Sequence, residues 1–152
     1  MSVFTNAASR SIDQARAYTA AILDLLGTRD PIDVLERTPD AIRDAIAGVS
    51  DVQLSQPESP CKWSMRQVVQ HLADCELVWS YRFRMVLAQE RPPLTGFDQD
   101  LWAQRVHYDS APIDEALDRF TVLRRSNLRL VADASSSSLS WRDKYCPNTT
   151  AP

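Results

Sequence analysis

The side chains best suited to chemistry lie on one predicted helix, where His71 and Cys75 are four residues apart. That spacing places an imidazole and a thiol on the same helical face, and both groups bind zinc. A two-residue chelate leaves a metal ion open, however, and a histidine or cysteine on an apolar face also packs as an ordinary core residue. The spacing by itself therefore favours a core role for His71, with metal ligation as the alternative.

Charged residues near this pair suggest further roles. Arg82 lies on the apolar face of the same helix, so its guanidinium could bind an anionic group of a substrate. An ion pair between Arg82 and either Asp98 or Asp100 is the simpler interpretation. Asp74 and Glu76 project from different sides of the helix, which predicts solvated or capping roles and not an acid–base couple. Three tryptophans could line a substrate pocket or, more simply, fill the bundle and its loops: Trp63, Trp79 and Trp102.

The composition argues against several classes of function. The formal net charge is −3 and no polybasic segment occurs, so we expect neither a nucleic-acid nor a membrane partner. Three glycines in the whole chain provide no GxSxG motif, phosphate-binding loop or dinucleotide fingerprint. Cys61 has no neighbouring base that could activate it as a nucleophile. The sequence therefore predicts no catalytic residue outside a metal site.

The cysteines and the hydrophobic segments bear on the compartment. The chain has three cysteines, Cys61, Cys75 and Cys146, an odd number without CxxC spacing. This pattern predicts reduced thiols and a cytoplasmic protein. The first ten residues contain no apolar region of the kind found in secretory signals, and no apolar run approaches the length of a membrane span.

Periodicity and helix-capping signals predict an all-α protein. Ser64 is a candidate N-cap, and Gln67 completes a capping box at the start of the main helix. Gly27 and Gly48 are suited to the left-handed position that ends a helix. The predicted helices span about 11–26, 31–37, 39–47, 65–89 and 111–133, with a short helix capped by Asp98 and a loop over 49–62. The expected domain is an incomplete helix bundle over 1–134, followed by a serine-rich, irregular tail over 135–152.

The apolar stripes predict which faces are buried. On the last helix, Arg124, Arg125 and Arg129 lie mostly off the stripe and should face water. Asn127 lies inside that stripe, so it should require a hydrogen-bond partner. The stripe predicted for the main helix comprises Val68, His71, Leu72, Cys75, Trp79, Arg82, Phe83 and Val86.

Four short sequence motifs, in this order and at these distances, give the chain a resemblance to the DinB-like superfamily, in its YfiT-like, DinB_2-type branch. They are KWS at 62–64, HLADCE at 71–76, YR at 81–82 and GFDQD at 96–100. The resemblance covers most of the chain. The GFDQD motif, at the distance from HLADCE that the family shows, makes the resemblance more specific than the His71-Leu72 pair alone.

The resemblance implies an up-down-down-up four-helix bundle that binds a divalent metal, zinc or nickel, through three histidines. His71 occupies the position of the first ligand, and the other two form an HxxxH pair on the fourth helix. Members of the superfamily include thiol S-transferases that use bacillithiol or mycothiol, together with hydrolases. The implied substrate is a small molecule or a low-molecular-weight thiol.

The sequence departs from the family pattern after Trp141. It contains no HxxxH pair, and His107 is the only other histidine. We therefore expect an incomplete metal site, and a bundle truncated to three long helices with short crossover helices. An exposed apolar face on such a bundle predicts self-association, with a homodimer as one solution. The alternative function is a non-catalytic helical module for binding or dimerisation.

Overall fold

A computed structural model describes the backbone of residues 12–136 and the side chains of residues 16–134. Within these residues the protein is all-α, as predicted, and its only strand-like pairing is an isolated bridge between Pro57 and Ser64. The helices are α1 (Ile12–Leu26), α2 (Pro31–Ile46), α3 (Asp51–Ser55), α4 (Met65–Ala88), α5 (Gln99–Arg105) and α6 (Ile113–Ser136). None of them is long and apolar enough to span a membrane. The predicted tail beyond 136 lies outside the described residues.

Helix α2 is continuous, so the prediction of two short helices over 31–37 and 39–47 is wrong. Asp30 caps its N-terminus by accepting hydrogen bonds from two backbone amides, and Pro31 occupies the first turn. Pro39 lies inside the helix and has no N–H to donate to the carbonyl of Leu35. Arg124 of α6 donates to that carbonyl instead, at 3.0 Å. A tertiary hydrogen bond thus replaces the one that proline removes.

The predicted loop over 49–62 contains helix α3 in its first half. Ser50 and Gln53 form a reciprocal capping box, which is why five residues suffice for a helical turn here. Leu54 is buried and anchors this turn on the core. Ser50 and Gln53 therefore serve as helix-capping residues and not as loop residues.

Helix α4 begins as predicted, with Ser64 and Gln67 forming a capping box. Its predicted buried stripe is wrong in part, because Val68, Trp79 and Val86 are 41%, 44% and 53% exposed. The face that packs against α6 is a different one, and it carries polar as well as apolar side chains. Its buried residues are Arg66, Val69, Gln70, Ala73, Asp74 and Glu76.

The α4–α6 contact is the most extensive helix pairing of the described residues and contains the hydrophobic core. The first half of α6 carries four buried apolar residues at helical spacing, Ile113, Ala116, Leu117 and Phe120. Helix α2 also packs against α6, with Ile42 and Ile46 against the core. The buried core cluster comprises Leu54, Val69, Ala73, Ile113, Ala116, Leu117 and Phe120.

A buried polar cluster joins α4 and α6 beyond this core. Arg124 forms an ion pair with Glu76 at 2.7 Å, and both side chains are nearly inaccessible to solvent. Asn127 donates to Glu76 Oε2 at 2.8 Å and accepts from Ser80 at 2.8 Å. The prediction that Asn127 has a partner is confirmed. The predictions that Arg124 faces water and that Glu76 is solvated or capping are wrong, because the two charges neutralise each other inside the interface.

Large apolar surfaces remain exposed in the described part of the chain. Helix α1 makes no extensive contact with another described helix, and Ile22, Leu23 and Leu25 are exposed on it. An open apolar groove runs between α2, α4 and α6, where Trp79 and Phe83 form part of its wall. These surfaces agree with the expectation of an unmatched apolar face, and self-association stays a prediction.

Candidate functional site

His71 lies half-buried on α4 among aromatic rings from three segments. The Trp63 ring, from the turn before α4, meets the imidazole edge-on at 5.0 Å between centroids. Phe97, from the loop after α4, lies 6.3 Å from it at a tilt of 36°. Trp102 of α5 packs on Phe97 at 4.6 Å, and Asp98 fixes the start of α5 by accepting from the amide of Leu101 at 2.9 Å. We call Trp63, His71, Phe97 and Trp102 the aromatic cluster.

The three tryptophans lie in two places. Trp63 packs against His71 and Trp102 against Phe97, within the aromatic cluster. Trp79 instead packs against Phe83 at 5.5 Å, two turns further along α4. Phe97 was not singled out as a site residue, although it lies in the GFDQD loop that carries the family resemblance.

Cys75 is brought next to His71, as the spacing predicts. Its Sγ lies 3.4 Å from Nε2 and 3.8 Å from Nδ1 of the imidazole. A tetrahedral zinc ion would hold a sulfur and a nitrogen ligand about 3.5 Å apart, given bond lengths of about 2.3 and 2.0–2.1 Å. The observed separation is therefore compatible with both a thiol–imidazole hydrogen bond and a shared metal ion.

Burial controls the protonation of both groups. Desolvation lowers the pKa of His71, and the nearby carboxylates of Asp74 and Asp100 oppose that shift without reversing it. The imidazole is consequently neutral at pH 7, the form that binds metals. Burial, with the charges of Glu76 and Asp74, raises the pKa of the Cys75 thiol to about 11. In the absence of metal the thiol is therefore protonated and a poor nucleophile.

Asp74 belongs to a second buried cluster behind the aromatic one, which corrects its assignment as a solvated or capping residue. Tyr108 donates to Asp74 Oδ2 at 2.6 Å, and Arg119 of α6 donates to Oδ1 at 3.1 Å. The Tyr108 ring is fully buried and lies edge-on to Trp63, 6.3 Å away. Asp74 thus fixes Tyr108, which supports the tryptophan beside His71. The sequence offered no periodic signal for Tyr108, which lies in a turn.

The remaining polar candidates do not join His71. Arg82 pairs with neither Asp98 nor Asp100, so the predicted ion pair is wrong. Its guanidinium donates to the carbonyl of Thr95 at 2.6 Å and stacks over the Trp79 ring. Cys61 is exposed, and so is His107, which has a φ of 57° in the turn after α5.

A metal ion requires more ligands than this arrangement supplies. Within residues 12–136, no group of three histidine, cysteine, aspartate or glutamate side chains converges on one point. Asp74 and Glu76 are already engaged by arginines, and Asp100, although near His71, does not form a group of three donors with His71 and Cys75. The described residues therefore fit part of a metal site and not a complete one.

The environments of the two described cysteines predict a large difference in reactivity. At pH 8 without metal, we expect iodoacetamide to modify exposed Cys61 on the order of 100 times faster than Cys75. The difference follows from burial and from the raised pKa of the Cys75 thiol. Peptide mapping by mass spectrometry in a Cys146→Ser background measures both rates. Equal rates would contradict the buried, protonated state of Cys75.

Comparison with known proteins places these residues in a family context. Residues 34–144 match the DinB_2 family, described as the DinB superfamily. A candidate metal-dependent hydrolase of Geobacillus thermodenitrificans is 35% identical over 86 residues, 57% of this chain and 48% of that protein. The candidate metal-dependent hydrolase YfiT of Bacillus subtilis is 36% identical over 73 residues, 48% of this chain and 41% of its own length.

The solved structure of YfiT from Bacillus subtilis is similar in fold. It is described as a candidate metal-dependent hydrolase with an unusual four-helix bundle topology, and it superposes with a TM-score of 0.64 at 29% identity. The match covers 67% of this chain and 58% of that one. The chain thus spans about half the length of the first curated relatives it matches, 48% and 41%.

Proposed function

The chain belongs to the DinB superfamily, and from this membership we propose that it forms part of a metal-dependent hydrolase in which His71 ligates a divalent metal ion. The observation that carries the proposal is the state of His71 itself. Its imidazole is neutral, half-buried and held by aromatic rings beside a thiol. Its position falls within the residues that match the family, and the relatives are named for metal-dependent hydrolysis.

The described residues would prepare this site for a metal without completing it. Trp63 and Phe97 limit the rotation of the imidazole and exclude water from its sides. A bound zinc or nickel ion would polarise a substrate carbonyl or lower the pKa of a bound water. Imidazole suits both metals. The further ligands would have to come from outside residues 12–136, because none converges within them.

Two alternatives rest on the same observations. The first is transfer of a group to or from a low-molecular-weight thiol, which the family resemblance also implies. The second is a non-catalytic helical module, for which the exposed apolar side chains of the described helices are the supporting observation. The extensive exposed apolar surface would then serve binding or dimerisation.

An activity measurement on the purified chain separates the three. With added zinc or nickel, we expect hydrolysis of p-nitrophenyl acetate above the metal-only rate, lost with EDTA and in His71→Ala. The matched control is His107→Ala, which removes the other, exposed histidine. Thiol transfer to 1-chloro-2,4-dinitrobenzene without hydrolysis would support the transferase alternative. Activity that persists unchanged in His71→Ala would contradict the proposal, and no metal-dependent activity of either kind would favour the non-catalytic module.

A further inference from the structure

Arg82 lies at a second site on α4, three turns beyond His71, where its charge is not balanced. No carboxylate of the described residues forms an ion pair with it, whereas the buried arginines Arg66 and Arg124 each have one. Its contacts are the Thr95 carbonyl, through Nη2 at 2.6 Å, and the face of the Trp79 ring, 5.2 Å away. These contacts hold the guanidinium in place without neutralising it.

One donor of Arg82 has no partner. Its Nε–H is buried and makes no hydrogen bond among the described residues. Other buried side-chain nitrogens of the described residues do have partners, as expected for polar groups removed from water. A guanidinium presents its N–H groups in a planar fork that matches a carboxylate. The Nε–H itself is inaccessible, so an acceptor from outside the described residues meets the uncompensated charge through the rest of the guanidinium.

Arg82 lines an open groove whose other walls are apolar. The groove lies between α4, the loop after it and the end of α6, and its volume is about 360 Å³. Phe83, Val86, Leu94 and Leu130 contribute to its lining. This volume is at the lower end of the range for small-molecule sites, which are mostly apolar with a few polar groups that fix orientation.

We propose that this groove binds a small amphiphilic carboxylate, with the carboxylate on Arg82 and an aliphatic tail along the apolar wall. The unbalanced charge of Arg82 selects an anion, and the lining selects an apolar tail. A purely apolar occupant would leave the charge without a partner. The proposal does not depend on a metal at His71, so a negative result for one of the two proposals would not contradict the other.

Three probes of equal chain length test the head-group preference on the unaltered full chain, in the presence of EDTA. Calorimetric titration with octanoate, 1-octanol and octylamine should show octanoate binding at least about tenfold more tightly than octanol, because octanoate alone forms an ion pair with Arg82. Octylammonium should bind most weakly. Octanoate that fails to bind, or that binds no better than octanol, would overturn the proposal.

Variants locate the binding on this groove. Arg82→Met should reduce octanoate affinity to that of octanol, whereas Arg84→Met should leave it unchanged. Arg84 is a matched control because it lies on the same helix, is exposed and bonds only to the Ser80 carbonyl. Leu130→Trp should block the tail and weaken both ligands. Unchanged octanoate binding in Arg82→Met contradicts the proposal, and if that variant does not fold, the comparison of the three probes decides alone.

Discussion

Replacing Arg124 with methionine should lower the free energy of unfolding by about 3–5 kcal/mol, as expected when one partner of a buried ion pair is removed. Glu76 would lose its counterion in the α4–α6 interface, where its side chain is only 8% exposed. The Leu35 carbonyl, which Pro39 cannot satisfy, would lose its donor as well. The contact between the Arg124 guanidinium and the Phe120 ring, 4.7 Å apart, would be retained only in part by a methionine side chain.

Urea denaturation of four variants measures this effect: Arg124→Met, Glu76→Met, their double replacement and Arg125→Met. Arg125→Met is the matched control, because it changes the adjacent, exposed arginine and should shift stability by less than about 0.5 kcal/mol. The double replacement Glu76→Met with Arg124→Met should be less destabilising than the sum of the single changes, since it leaves no unpaired charge. Additive effects, or a loss in Arg124→Met as small as that in Arg125→Met, would show that the pair is not buried in solution.

Replacing His71 with alanine should weaken zinc binding by at least about 10–100-fold. That is the loss expected at a metal site when only a residue that hydrogen-bonds to a ligand is removed. The imidazole is the one neutral nitrogen donor that the described residues hold ready at this face. Isothermal titration of the metal-free chain with zinc measures the change. Unaltered chain should bind weakly, because residues 12–136 bring no three donors together.

His107→Ala is the control for this second prediction. His107 is exposed in the turn after α5 and contacts none of the rings around His71, so its loss should leave zinc affinity unchanged. Equal losses in the two variants would indicate nonspecific binding by surface histidines. Circular dichroism of His71→Ala checks that α4 remains folded, because the buried face of that helix is a different one.

Local signals in the sequence predicted the helices and their ends well. Ser64 and Asp98 cap the helices that the sequence predicts them to cap, since a cap depends on residues within one turn of it. The approach of Cys75 to His71 likewise follows from the four-residue spacing alone. The family resemblance, which rests on four short sequence motifs, is confirmed by the match of residues 34–144 to the family.

Long-range pairing explains what the sequence could not predict. The stripe on α4 was assigned from hydrophobicity, whereas the buried face contains Asp74 and Glu76, which are neutralised by arginines 45 and 48 residues away. No periodicity within one helix reports such a partner. Pro39 is the same case, because its tolerance inside α2 depends on Arg124 of another helix. Tyr108 was missed because a turn residue acquires its role only from the helix against which it packs.

X-ray absorption at the zinc edge of the zinc-loaded chain tests whether His71 is a metal ligand. Ligation by His71 predicts an imidazole nitrogen at about 2.0–2.1 Å whose outer-ring scattering disappears in His71→Ala and persists in His107→Ala. A spectrum that is the same in the unaltered chain and in His71→Ala, or a shell made only of sulfur at about 2.3 Å, would contradict it.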